Sequence, residues 1–203
     1  MLVYLEFVSR RPGVGLHEFR SVVAGGQSGW SGDHGTDVAI LNVGRTWRIG
    51  AEPEYLTAWY NADAGLGRLD DWNDVFTSGT ADAYEEPFRL AARIDRAGCY
   101  EPLLEPIRGT AGRYLAEWCD PAPGATRDDL VAFFDERKAR HGFELNLLIQ
   151  RIGLLGPDPR GLAVWSLPSF GAMDAIARDL DGLAQPIVPV TATLYADLGQ
   201  EQL

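Results

Sequence analysis

The sequence predicts an α+β fold made of two tandem repeats, each with the element order β-α-β-β-α-β. Glu6 matches Glu117 at an offset of 111, since 117 − 6 = 111, and the Glu-aromatic dipeptide is followed by Pro-Gly in both places. Further matches recur at offsets of 106 and then 95: Arg45 with Arg151, Trp59 with Trp165, and Tyr100 with Tyr195. Collinear matches of this kind are typical of a duplicated unit. We therefore expect one repeat over residues 1–104 and a second over residues 113–203, with a Pro- and Gly-containing linker between them.

The first repeat has apolar patterns that predict each element in order. Residues 2–8 are rich in β-branched and aromatic side chains and predict a strand, which Pro12 and Gly13 end. A first helix is expected at residues 16–24, a strand pair at 38–48 and 55–60, and a final strand at 97–103. Helical spacing predicts a second helix and one additional helix before the final strand, on these residues: Leu66, Leu69, Trp72 and Phe76, then Tyr84, Phe88 and Ala91.

The second repeat follows the same order. Thr126 and Asp129 form a capping-box start, and the helix after them carries Leu130, Phe133 and Phe134 at i, i+3, i+4 spacing. The remaining elements are expected as a strand pair at 144–154 and 162–167, a helix on Met173, Ile176 and Leu180, and a last strand at 188–198. The first repeat has five more residues between its first helix and second strand, which predicts an inserted loop around residues 29–35.

This element order gives a ferredoxin-like unit, with both helices on one face of a four-stranded antiparallel sheet. The second sheet face is also apolar, so we expect the two sheets to cover each other within one chain. In this arrangement the chain resembles the dimeric α+β barrel superfamily, and more specifically NIPSNAP-type proteins with two fused halves. The superfamily includes cofactorless monooxygenases, haem-handling enzymes, polyketide cyclases and proteins without known activity. The resemblance therefore implies a fold and does not select a reaction.

Alternation along the strands suggests a candidate site. Val3, Leu5 and Phe7 share one face of the first strand, and Tyr4 and Glu6 share the other. We expect the fully apolar face to meet the helices, which turns the polar face toward the barrel interior. The candidate site residues there are two proton-transfer carboxylates, Glu6 and Glu117, and a set of binding side chains: Tyr4, Arg45, Trp59, Tyr100, Arg151, Trp165 and Tyr195.

Each of these assignments has a structural alternative. A carboxylate desolvated among aromatic rings has a raised pKa and suits proton transfer. In the structural alternative, the carboxylate forms a hydrogen bond with a tyrosine or an ion pair with Arg45 or Arg151 and stabilises the fold. The tryptophans suit either the wall of a ligand cavity or ordinary packing. His34, between Asp33 and Asp37 in the inserted loop, is a candidate acid-base group or metal ligand, or part of a solvated loop.

Composition excludes several classes of function. The net charge is −11 and Lys138 is the only lysine, so binding to nucleic acid is not expected. No apolar stretch is long enough for a membrane span. Two cysteines, Cys99 and Cys119, are too few for a disulfide framework, and we expect free thiols in a cytoplasmic protein. No phosphate-binding loop or spaced Cys/His set occurs, so we expect no cofactor, whether haem, flavin or metal.

Three functions remain open at this level. The first is an enzyme (a lyase, cyclase, isomerase or cofactor-independent oxygenase) that acts on a small, partly apolar molecule through the carboxylates. The second is a non-catalytic protein that binds a small apolar metabolite or haem. The third is a structural module with a filled barrel. A monomer and a homodimer are both compatible with the sequence.

Overall fold

A computed structural model describes residues 1–33, 37–46, 54–79, 82–108, 112–178 and 185–197. Eight strands form a closed antiparallel barrel in the order β1-β3-β2-β8-β5-β7-β6-β4. The elements are β1 Leu2–Arg10, α1 Leu16–Asp33, β2 Asp37–Arg45, β3 Tyr55–Asn61, α2 Arg68–Thr77, α3 Asp82–Ala91, β4 Ala92–Pro102, β5 Arg113–Pro121, α4 Arg127–His141, β6 Glu144–Arg151, β7 Gly161–Ser166, a 3₁₀ turn Phe170–Ala172, α5 Met173–Arg178 and β8 Ile187–Asp197. The predicted α+β fold with two β-α-β-β-α-β halves is confirmed.

The barrel interior is a single apolar core shared by both halves. β1 and β5 lie on opposite sides of the barrel, four strands apart in either direction. Phe7 of β1 nevertheless contacts Trp118 of β5, with ring centroids 5.5 Å apart, so side chains span the full diameter. The rest of the core is apolar and aromatic, and its largest members are fully buried: Leu5, Leu56, Tyr100, Tyr114, Leu147, Ile149 and Tyr195. Close packing of this kind leaves the described interior filled by its own side chains.

The two halves share details that the sequence offsets predicted. β5 and α4 begin 111 residues after β1 and α1, since 113 − 2 = 111 and 127 − 16 = 111. Two β-bulges also recur. The β1–β4 pairing shifts after Phe7 and the β5–β8 pairing after Trp118, again 111 residues later. The β2–β3 pairing shifts after Ala39 and the β6–β7 pairing after Leu145, 106 residues later. Bulges bend and twist a strand, so both halves curve at the same points.

The helices agree with the predictions in type and differ at some ends. α4 begins with the predicted capping box, in which the Thr126 side chain accepts from the Asp129 backbone N–H while the Asp129 carboxylate accepts from the Thr126 N–H. The additional helix is α3. The prediction of a loop from residue 29 was wrong as far as Asp33, because α1 continues to that residue. Leu180, Leu198 and most of the strand turn at 48–54 lie outside the described residues. No described helix combines the length and hydropathy needed for a membrane span.

One of the two seams that join the halves depends on a glycine. β4 meets β6 at the pair Tyr100 and Arg151, and the contact continues into the β6–β7 loop, where the Cys99 N–H donates to Leu155 O at 2.7 Å. A Cβ at Gly98 would lie 2.8 Å from the Cα of Gly156. Because the obstructing atom is backbone, no side-chain rotation relieves the clash. Gly98 therefore permits the approach that closes the barrel on this side.

We expect Gly98→Ala to lower the free energy of unfolding by about 1–3 kcal/mol, the usual effect of forcing an extra methyl group into a packed site. Urea unfolding monitored by far-UV circular dichroism measures this. Gly65→Ala is the matched control, because a Cβ at Gly65 meets nothing within 4 Å. Equal stability of the two variants would show that the β4–β6 seam accommodates the added methyl group without a loss of stability.

Candidate functional site

Glu6 and Glu117 face the helices, not the barrel interior. Their strands place Val3, Leu5 and Phe7, and correspondingly Tyr114 and Trp118, in the interior core. Alternation then turns Glu6, Glu117 and their neighbours outward, under α1 and α4. The same holds for the tryptophans: Trp59 packs with the α1 and α2 side chains, and Trp165 with α4. The prediction that these four residues line the lumen was wrong.

The inversion has a physical reason. The barrel core is enclosed on every side by strands, so a charge placed there would be the most expensive to desolvate. The space between sheet and helices admits side chains from both layers and can supply polar partners. Fully apolar strand faces therefore pack against each other across the barrel, and the faces that carry a carboxylate pack against helices.

In the second repeat the carboxylate is part of a closed ion pair. Arg137 of α4 donates from Nη1 to Glu117 Oε2 at 2.8 Å and from Nη2 to Glu117 Oε1 at 3.0 Å. Trp165 Nε1 donates to the same carboxylate at 2.6 Å, and Arg137 Nη2 also donates to Ile176 O at 3.2 Å. The Arg137 guanidinium carbon lies 5.3 Å from the centre of the Trp165 ring. Both charged side chains are at most 5% exposed, so this site is filled by the protein itself.

In the first repeat the equivalent region is a cavity of about 340 Å³. It lies between the outer face of β1, β3 and β4 and the three helices α1, α2 and α3. Its walls are largely aromatic, and Phe76 and Ile94 at its edge are exposed to solvent. The lining residues are Tyr4, Glu6, Val23, Gly26, Trp30, Thr57, Trp59, Trp72, Phe76, Glu85, Phe88, Arg89 and Ile94. An apolar cavity with a few converging polar groups is the usual form of a small-molecule site.

Glu6 keeps one contact of its counterpart and lacks the other. Trp59 Nε1 donates to Glu6 Oε2 at 3.2 Å, as Trp165 does to Glu117. In the described part of the chain Glu6 makes no ion pair. The nearby cation on α3, Arg89, is paired with Glu85 at 2.5 Å. Burial is the main cause that raises the pKa of Glu6 to about 7. The hydrogen bond from Trp59 lowers this pKa, and the charge of Glu85 raises it.

The missing partner has a simple origin in the sequence. The 111-residue offset holds at the start of α1 and α4, so Arg137 corresponds to Gly26, since 137 − 111 = 26. Gly26 lines the cavity, and a Cβ at this position would meet nothing within 4 Å. The cavity thus occupies the space where the second repeat has a guanidinium. The sequence did not predict this pairing of Gly26 with Arg137, because the matching residues that mark the repeat lie in the strands and turns and none lies in these helices.

The remaining candidate residues are divided between different environments. Tyr100 and Tyr195 lie in the barrel core and are fully buried, so neither reaches Glu6 or Glu117 as predicted. Burial raises the pKa of Tyr100 to about 12. Arg151 donates to Gly156 O at 2.9 Å and to Asp158 at 2.8 Å in the β6–β7 loop, so it serves that loop and not Glu117.

Two further candidates occupy separate positions in the first repeat. Arg45 ends β2, half-buried at the seam with β8 and opposite Tyr195. Tyr4 does line the cavity, beside Glu6, and burial raises its pKa. His34 lies outside the described residues.

The described cavity lining does not suit a haem or a metal ion. Neither histidine nor cysteine lines it, so no imidazole or thiolate is available there to a haem iron. Within the described ranges His17 is exposed and no group of three or more His, Cys, Asp or Glu side chains is arranged to hold a metal. Both cysteines are buried free thiols. The polar groups that line this cavity include the Glu6 carboxyl, the Tyr4 phenol, the Thr57 hydroxyl and the ion pair of Glu85 with Arg89.

Comparison with known proteins supports the fold. No family model and no curated protein matches the chain. Among solved structures, a variant chlorite dismutase from Candidatus Nitrospira defluvii is similar at 8% identity and a TM-score of 0.58, over 97% of this chain and 91% of that one. A candidate monooxygenase from Lactobacillus acidophilus has 10% identity and a TM-score of 0.58, over 98% and 97%. A dye-decolorizing peroxidase from Bacteroides thetaiotaomicron has 6% and 0.55, over 97% and 93%. The fold is that of the dimeric α+β barrel proteins.

We expect Glu117→Gln to cost about 3–5 kcal/mol of stability at pH 7, because it leaves the Arg137 guanidinium buried without its counter-charge. Glu6→Gln should cost less than about 1 kcal/mol, since no buried cation loses its partner. Urea unfolding of the two variants beside the native protein provides the measurement. A similar loss in both variants would contradict the assignment of an ion pair to one repeat only.

Glu6 should also make stability depend on pH in a defined direction. Its folded pKa of about 7 lies above the ordinary glutamate value of 4.5, so the native state binds the proton more tightly than the unfolded state. The resulting stabilisation is present at low pH and is lost as pH rises from about 4.5 to about 7.

Relative to Glu6→Gln, the native protein should therefore lose about 1–3 kcal/mol between pH 5 and pH 8. Urea unfolding of both proteins at the two pH values tests this. Parallel pH profiles would mean that Glu6 titrates near its ordinary value.

Proposed function

We propose that the protein is an enzyme that binds a small, partly apolar molecule in the first-repeat cavity and transfers a proton through Glu6. The observation that supports this best is the contrast between the two repeats. The same strand position carries a glutamate in both, yet Glu117 is paired with Arg137, whereas Glu6 lines a cavity and makes no ion pair with a described residue. A carboxyl group with a pKa of about 7 exchanges protons readily at neutral pH, as a general acid or base requires.

The rest of the cavity supports binding and orientation. Trp59 holds one oxygen of Glu6 through its indole N–H and leaves the other oxygen available to a ligand. Trp30, Trp72 and Phe76 add apolar walls, with the Trp30 ring 6.2 Å from Trp72 and 5.3 Å from Phe76. Flat apolar parts of a ligand pack well against such rings. Tyr4, whose raised pKa keeps its hydroxyl protonated, can donate a hydrogen bond beside Glu6.

The reaction remains within the classes that the sequence left open: lyase, cyclase, isomerase or cofactor-independent oxygenase. The structural neighbours include proteins named as a chlorite dismutase, a monooxygenase and a peroxidase. These names are consistent with an enzymatic role for this fold. We also propose a closer relation to NIPSNAP-type proteins, a cytoplasmic location and a monomeric or homodimeric state. The two proposed repeats span residues 1–104 and 113–203. Within this proposal Glu117 is structural, and His34 remains a candidate acid-base group from the sequence.

The competing function is a non-catalytic binding protein that uses the same cavity. The filled-barrel alternative applies to the lumen, where the described side chains pack across the full diameter, but not to the space under the helices. Mass spectrometry of small molecules released from the purified protein, with an absorption scan, identifies what the cavity holds. We expect no Soret or flavin band, and a near-stoichiometric band of either kind would overturn the cofactor-independent mechanism.

With a substrate in hand, Glu6→Gln should reduce kcat by at least about tenfold, a lenient threshold for loss of a general acid or base. Glu117→Asp, which keeps the charge of the ion pair, is the control for a general loss of folding. The rate of the native enzyme should change with pH around pH 7, where Glu6 titrates. This pH dependence should be absent from the residual activity of Glu6→Gln. Full activity in Glu6→Gln would exclude proton transfer by Glu6.

A further inference from the structure

The second repeat shows which chemical group fits beside this carboxylate. Glu117 and Trp165 have the same strand positions as Glu6 and Trp59, and in both pairs the indole N–H donates to the carboxylate. In the second repeat the remaining space is taken by the Arg137 guanidinium. That group is bound in a bidentate manner by the carboxylate and lies over aromatic rings, which are two favourable contacts for a planar cation.

The first repeat keeps the glutamate and the tryptophan but has no arginine at the position equivalent to Arg137. Gly26 replaces the arginine, and the cavity extends from that glycine to Glu6. The aromatic surroundings are more extensive than in the second repeat. Trp30 lies with its ring centre 6.5 Å from Trp59 and 6.2 Å from Trp72, and Tyr4 lies 5.1 Å from Trp72. Aromatic walls around a carboxylate are a usual arrangement for binding a cation that carries an apolar body.

The electrostatic setting also favours a positive ligand. The charge of Glu85 on α3 acts on Glu6 in the same direction as burial and disfavours a second negative charge. A cation beside Glu6 relieves both effects, because it supplies a counter-charge to a carboxylate that forms no ion pair with a described residue, while Arg89 in the same cavity is paired with Glu85. The net charge of −11 further favours the approach of cations over anions.

We propose that the first-repeat cavity binds its substrate through a planar cationic group, a guanidinium or amidinium, held by Glu6 in the place that Arg137 fills in the second repeat. This rests on the proposed function, since it names the substrate class of the same site. The carboxylate then accepts N–H hydrogen bonds from the ligand. The apolar remainder of the molecule lies against Trp30, Trp72 and Phe76.

Two variants on neighbouring glycines test the geometry. Gly26→Arg places a guanidinium in the cavity and should raise the thermal midpoint, because the new side chain pairs with Glu6 as Arg137 pairs with Glu117. Gly25→Arg adds the same side chain to the exposed adjacent position of α1 and controls for charge and for replacing a helical glycine. Equal stabilisation by both variants would overturn the equivalence of Gly26 with Arg137.

Binding is tested with methylguanidinium, methylammonium and N-methylurea at pH 8, where Glu6 is ionised. The indole N–H resonance of Trp59, assigned with Trp59→Phe, reports on the site in an ¹H–¹⁵N spectrum, and that of Trp165 is the internal control. We expect methylguanidinium to shift the Trp59 signal and to bind at least about tenfold more tightly than the other two probes. Gly26→Arg and Glu6→Gln should weaken it at least tenfold, whereas Gly25→Arg should not.

The outcomes separate this inference from the function on which it rests. Equal binding of N-methylurea would overturn the requirement for a cation, and equal binding of methylammonium would overturn the preference for a planar one. If indole binds in the cavity and methylguanidinium does not, the cavity remains a ligand site and the substrate class is wrong. If neither indole nor methylguanidinium moves the Trp59 signal, both the substrate class and the proposed function fail.

Discussion

The structure depends on the burial of one apolar sheet face from each repeat inside a single closed barrel. Phe7 and Trp118, on strands at opposite sides of the barrel, are in contact, so neither half has a complete core without the other. This requirement decides the direction of every strand side chain. It turns Glu6 and Glu117 toward the helices, and it places Glu6 at the ligand-sized cavity between sheet and helices.

In the layer between sheet and helices the two repeats differ in how they compensate the lost hydration of a buried carboxylate. A carboxylate taken out of water loses hydration that must be replaced. The second repeat replaces it with Arg137, and the result is a rigid, fully occupied ion pair. In the first repeat Gly26 is at the equivalent position, and among the described residues Glu6 has the hydrogen bond from Trp59 and no ion pair. Burial then shifts its proton equilibrium to near neutrality. One arginine-to-glycine difference thus separates a closed ion pair from a carboxyl group that faces a cavity.

The sequence was sufficient for the repeat, the element order and the barrel, because matched residues at constant offsets report on topology directly. It also identified Glu6, Tyr4 and Trp59 as neighbours of one another. It failed on direction. Alternation tells which residues of a strand share a face, but not which face meets the helices, and both faces of β1 are rich in apolar residues. It also missed Arg137, since a single arginine in a charged helix has no pattern that distinguishes a buried partner from a solvent-exposed one.

A fold with two similar halves allows this difference because the ion pair and the cavity lie in separate halves that share one barrel core. A cavity and an unpaired buried carboxylate both lower stability, and proteins usually offset such costs elsewhere in the molecule. Here the offsetting interaction is the same site in the other repeat, joined to the first through the shared barrel interior. Any substrate cation that binds Glu6 then recreates in the first repeat the arrangement that is built into the second. Under this proposal, ligand binding in the first repeat and folding stability in the second depend on the same kind of carboxylate–cation contact.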